Sequence, residues 1–130
     1  MRFLSAASSC HGEAAEAQRS DAGRLVHAVA ELRDAPNDGK RPLLKALEQL
    51  DCAAPDLCEF RKTCVSAYSL DVDALDGLDA VKRATADARV PVSKSAVELL
   101  ARSEGALGRS VELAKRCADL EGEARRRYSL

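Results

Sequence analysis

Two long helical stripes meeting at a single turn constrain this 130-residue chain more than any other feature. The mostly apolar positions Leu57, Phe60, Cys64, Ala67, Leu75, Leu78, Val81 and Thr85 fall on one helix face, and Ala96, Leu99, Leu100, Leu107, Leu113, Ala114, Cys117 and Leu120 fall on another. A turn near Arg89 separates them. If the chain folds back there as an antiparallel hairpin, Cys64, 25 residues before the turn, and Cys117, 28 residues after it, come level. At about 1.5 Å of rise per residue their heights differ by less than one helical turn. The two thiols are therefore placed to form a disulfide, which would put the protein in an oxidising compartment.

The rest of the chain also reads as helix. Residues 14–33 carry Ala15, Gln18, Ala22, Leu25, Val29 and Leu32 at three- and four-residue steps, and Ala35-Pro36-Asn37-Asp38-Gly39 then breaks the pattern. A short segment over 42–50 puts Leu43, Leu44, Leu47 and Leu50 on one face behind Pro42, whose missing N–H costs nothing in a first turn. Pro55 restarts a helix in the same way, and no proline follows until Pro91, so one helix is expected over 55–87. Gly77 is its weakest interior point. A break at Ser69-Leu70-Asp71 is an alternative, because Asp71 interrupts the apolar stripe and Ser and Asp favour caps. The last helix is expected over 91–127, with Gly105 and Gly108 on or beside its polar side.

No run of alternating β-branched and aromatic residues competes with this reading, and the valines of 88–92 flank Pro91. The expected fold is all-α: an up-and-down bundle of three or four helices built on the long antiparallel hairpin. Two Phe, two Tyr and no Trp leave Leu, Val and Ala to fill a thin core of closely approaching helices. The length suits one domain, expected over 14–127, after a flexible N-terminal segment over 1–13.

Of the five cysteines, four pair sensibly: Cys64 with Cys117, and Cys52 with Cys58 across the Pro55 helix start. Cys10 is left over. Four cysteines allow three pairings, and the alternative is that they are free thiols, packed as small hydrophobes in a cytosolic bundle. Residues 1–10 combine one basic residue with small residues before Cys10, resembling the stub of an export signal ahead of a lipid-modified cysteine; their apolar part is too short for a complete signal. The competing reading is a frayed terminus. Periplasmic or secreted localisation is expected on the cysteines, with the cytoplasm as the alternative. No stretch reaches the roughly 20 apolar residues a transmembrane helix needs. Fourteen Arg against six Lys, with 24 Ala, is the usage of a GC-rich, bacterial type of genome.

Chemical motifs are missing. Cys52, Cys58 and Cys64 repeat every six residues, which turns a helix through about 600° and scatters them over different faces, so no metal site is expected. Cys10-His11 lacks the pattern of haem attachment. Asp71, Asp73 and Asp76 resemble a calcium loop, but the third Asp is one place late and Lys82 takes the position of the closing Glu. Asp73, Asp76 and Asp79 read instead as a solvated helix face. His27 has Gly23, Arg24, Ala30 and Glu31 one turn away, an ordinary polar surface, and no nucleophile can be matched to it. No phosphate-binding glycine loop, nucleophile elbow or zinc-protease signature occurs. Catalytic, cofactor-binding and metal residues are all expected to be none. Arg125, Arg126 and Arg127 suit the negative end of a helix dipole. With a net charge of −1 and no stacking aromatics around them, nucleic acid is not an expected partner.

The function that follows is a non-enzymatic interaction or structural module, exported and disulfide-stabilised, with a protein partner that the sequence does not name. The alternative is a cytosolic adaptor or regulatory protein whose hairpin self-associates, as a homodimer, or packs against partner helices.

Overall fold

The computed structural model describes residues 2–130, with side chains from residue 12 onward. Four α-helices make up the chain: α1 (Arg2–Asp34), α2 (Lys40–Glu48), α3 (Pro55–Ala84) and α4 (Lys94–Arg127), with a 3-10 turn at Asn37–Gly39 before α2. There is no strand among the described residues. The all-α fold built on a long hairpin is what the chain forms: α3 and α4 pack closely, and α1 and α2 lie against them. The reading of residues 1–13 as a flexible segment, and of Cys10 as the odd cysteine, falls mainly outside the described side chains.

Local signals account for the element ends. Pro55 opens α3 at its first turn. α4 begins at Lys94, later than the expected residue 91, because Ser93 is the N-cap: its Oγ accepts the Ala96 N–H at 3.1 Å, and Pro91 stays in the connecting turn. α3 runs unbroken through Ser69-Leu70-Asp71. The charge that interrupts its stripe is met from α2, where Lys40 Nζ stands 3.7 Å from Asp71 Oδ2 and 5.5 Å from the centre of the Tyr68 ring.

The seam between α3 and α4 has a seven-residue repeat. The buried positions of α4 are Ala96, Ser103, Ser110, Cys117 and Ala124, each seven apart, and they meet a line on α3 through Leu57, Phe60, Cys64, Ala67 and Ala74. This is coiled-coil periodicity with small side chains where leucine is usual. Small residues let the helices approach closely. The Cα atoms of Cys64 and Cys117 are 4.9 Å apart, and a Cβ built on Gly77 would stand 2.1 Å from Ser103 Oγ. The expected stripe is thereby shifted: Ala74 is buried while Leu75 is half-buried, and Leu100 is turned outward. Space, rather than polarity, selects the seam. Ser110 is admitted because its hydroxyl donates to the Leu107 carbonyl in its own helix at 2.7 Å.

The main core lies at the base of the hairpin. Leu25, Val29 and Leu32 of α1 and Leu44 and Leu47 of α2 pack with Leu57, Phe60, Cys64 and Tyr128. Each such buried side chain contributes about 1.5–3 kcal/mol relative to exposure. This cluster takes no α3 residue beyond Val72 and no α4 residue before Cys117, so the small-residue seam alone fills the distal half of the hairpin.

Candidate functional site

The cysteines occupy the base. Cys52 lies in the loop entering α3 and Cys58 in its first turns, with Cα atoms 5.1 Å apart and sulfurs at disulfide distance. Cys64 and Cys117 face each other across the seam, both fully buried, again with sulfurs at disulfide distance. Both Cα separations fall in the range of about 4.4–6.8 Å that a bridge spans. The loop carrying Cys52 is held from α1. Asp21, itself buried, accepts the Ala53 N–H at Oδ2 and the Arg24 guanidinium at Oδ1, each at 2.7 Å, and Arg61 donates to the Leu50 carbonyl. The i,i+3 spacing of Asp21 and Arg24 is a short-range signal for that pair, but nothing local points to the Ala53 N–H, 32 residues on.

The other charged groups singled out by sequence are dispersed. His27 is exposed, with Nε2 2.7 Å from Glu31 Oε1 one turn on. It lies on the rim of an open groove of about 750 Å³ between α1 and α2, whose floor includes Gly23, Ala28, Ala46, Leu50 and Leu130. The aspartates of the calcium-like run do not converge. Asp73 and Asp76 both accept from Arg41 of α2, and Asp79 pairs with Arg83 at 3.0 Å. Among the described residues, no three His, Cys, Asp or Glu side chains are grouped to hold a metal ion.

Arg125 and Arg127, of the three C-terminal arginines, are tied to carboxylates at the base. Arg127 lies 3.4 Å from Asp56 and over the Tyr128 ring, and Arg125 reaches Glu121 at 3.4 Å. Glu121 also accepts from Arg33 of α1 at 2.7 Å, a bond that raises the guanidinium's pKa above its ordinary value. Tyr128 donates its hydroxyl to both oxygens of Asp56, at 2.9 and 3.1 Å. Burial, reinforced by that carboxylate, pushes the phenol pKa up. These groups join α1, α3 and α4 in fixed pairs.

Most of the exposed large apolar side chains lie on the distal hairpin, Leu130 beside α1 at the base being a further one. Val90 and Val92 stand out from the turn, and Val97, Leu100 and Val111 from α4. No helix among the described residues is long and apolar enough to cross a membrane. Comparison of the chain with protein-family models, with curated proteins and with solved structures finds no match.

Proposed function

We propose that the chain is an exported, disulfide-stabilised helical module that acts by contact with another protein and not by catalysis. The observation that carries this reading is the pairing of four cysteines at disulfide distance, one pair inside the core and one at the mouth of α3. Disulfides persist in oxidising compartments and are rare in the cytosol, so a fold braced in this way suits the periplasm or the exterior. A core with few aromatics gains most from such bracing. The fixed pairing of Asp21, Asp56, Glu121 and Tyr128 supports a structural role for the polar groups of the base.

The test is a non-reducing peptide map of protein whose thiols are trapped at lysis, after expression in an oxidising and in a reducing compartment. Cys64/Cys117 and Cys52/Cys58 linked peptides from the oxidising compartment are the expected result. Five trapped thiols in both preparations would overturn the reading and favour a cytosolic adaptor.

A further inference from the structure

We infer that the outer flank of distal α4 docks a basic amphipathic helix of a partner protein; the inference rests on the interaction-module reading and gives its surface and partner class. Val97, Leu100, Leu107 and Val111 lie at three-, four- and seven-residue spacings beside the buried seam, on one side of the helix. Val97, Leu100 and Val111 are 55%, 37% and 64% exposed. Ala101 and Gly108 extend the same flank, and Glu104 is the single charge within it. The strip from Val97 to Val111 is about 21 Å long, four turns of helix.

Continuity gives the shape of the occupant. Leu100, Leu107, Ala114, Glu121 and Tyr128 form one row, seven residues apart. At the base α1 covers that row: Glu121 accepts from Arg33, Tyr128 is buried in the cluster that holds Leu25 and Leu32, and Arg19 donates to the carbonyl of the next residue, Ser129. α1 ends at Asp34, and toward the tip the row emerges into solvent. The row that α1 covers at the base thus continues toward the tip, where no helix among the described residues covers it.

Charge gives the occupant's chemistry. Glu104 and Glu112 lie on or border the flank and Asp119 follows it toward the base, with Lys94 and Lys115 as the cations on the same side. Lys94 stands 4.0 Å from Glu98, whereas Glu104, Glu112 and Asp119 form no ion pair among the described residues. A second copy fits poorly. Antiparallel pairing about the centre of the strip would set Val97 opposite Val111 but Glu104 opposite Glu104, like charges at the middle of an apolar contact. A partner helix with apolar residues at three- and four-residue steps and Lys or Arg beside them meets both the leucines and the carboxylates.

The experiment titrates the full-length oxidised chain with a labelled Leu/Lys amphipathic helix of about 18 residues, and with its Leu/Glu counterpart. The Lys peptide is expected to bind at least about tenfold more tightly than the Glu peptide, with Val111→Asp weakening it about tenfold and Glu104→Lys reversing the preference. Both substituted side chains are exposed, and unchanged circular dichroism and melting show that the variants are folded. Equal binding of the two peptides, or no effect of Val111→Asp, would overturn the inference. So would a wild-type dimer that Val111→Asp dissociates, since a second copy would then cover the flank. Absent binding with both cysteine pairs intact removes this surface and leaves the module reading standing; free thiols with binding intact do the reverse.

Discussion

Replacing Gly77 by Ala is expected to destabilise the protein, whereas the same change at Gly108 stabilises it. Both glycines lie inside long helices, where Ala is favoured by about 0.8–1 kcal/mol. A Cβ on Gly108 meets nothing within 4 Å, so the full gain is realised. A Cβ on Gly77 stands 2.1 Å from Ser103 Oγ, 3.2 Å from Ser103 Cβ and 3.6 Å from Leu99 Cδ1. Rotating the Ser103 hydroxyl relieves the first contact. The second is set by two backbones, and α3 must move from α4 by a few tenths of an ångström to relieve it. Overpacking of this kind costs about 1–3 kcal/mol, so the two variants should differ by that amount, with Gly77→Ala a net loss of about 1 kcal/mol. In a domain of this size 1 kcal/mol moves the melting temperature by about 4 °C. Thermal and urea unfolding followed by circular dichroism under non-reducing conditions reads both signs, and Ser103→Ala in the Gly77→Ala background should recover part of the loss. If Gly77→Ala raised the melting temperature as far as Gly108→Ala, the close approach of α3 and α4 at this level would be refuted.

Three further outcomes follow from the base of the hairpin. Replacing Cys64 and Cys117 by Ala should cost about 4 kcal/mol and replacing Cys52 and Cys58 about 2, since the closed loops differ in length; equal losses in urea unfolding would contradict the chain-entropy account. Because the fold raises the Tyr128 pKa by burial and by Asp56, the neutral phenol's stabilisation is fully present below about pH 10 and is lost as pH rises through the raised value. Tyr128→Phe should flatten that alkaline limb and lower stability at neutral pH by about 1 kcal/mol, as pH-dependent denaturation would measure. Asp21→Ala leaves the Ala53 N–H and Arg24 without their acceptor and should cost about 1–3 kcal/mol, with faster hydrogen exchange at Ala53 as its local signature.

Apart from the start of α1, at Arg2 and not near residue 14, helix positions and the hairpin were legible because their signals are local: Pro55 at a first turn, the break at residues 35–39, and apolar residues at helical steps. The level placement of Cys64 and Cys117 was legible because rise per residue fixes height whatever the side chains are. Which residues line the seam was less so. Apolar periodicity favours Leu75, Leu100 and Leu107, yet Ala74, Ser103 and Ser110 are the buried ones, because closely approaching backbones exclude large side chains. The seven-residue spacing of Ala96, Ser103, Ser110, Cys117 and Ala124 was the available signal, and it becomes visible only when residues are sorted by size. The remaining base contacts, Asp21 to residue 53, Asp71 to Lys40 and Tyr128 to Asp56, join positions 31 to 72 residues apart. No periodicity reports such partners.

A seam of repeated small residues has a hidden ambiguity. Shifting α4 along α3 by one repeat, about 10 Å, places small residues against much the same surface, so the distal interface discriminates weakly between alignments. A covalent link between Cys64 and Cys117 removes that degeneracy, because closing it selects one alignment out of the set. The bond then acts as a vernier for the whole hairpin: it sets the height at which the side chains of the tip, some 40 Å away, are presented to whatever they meet.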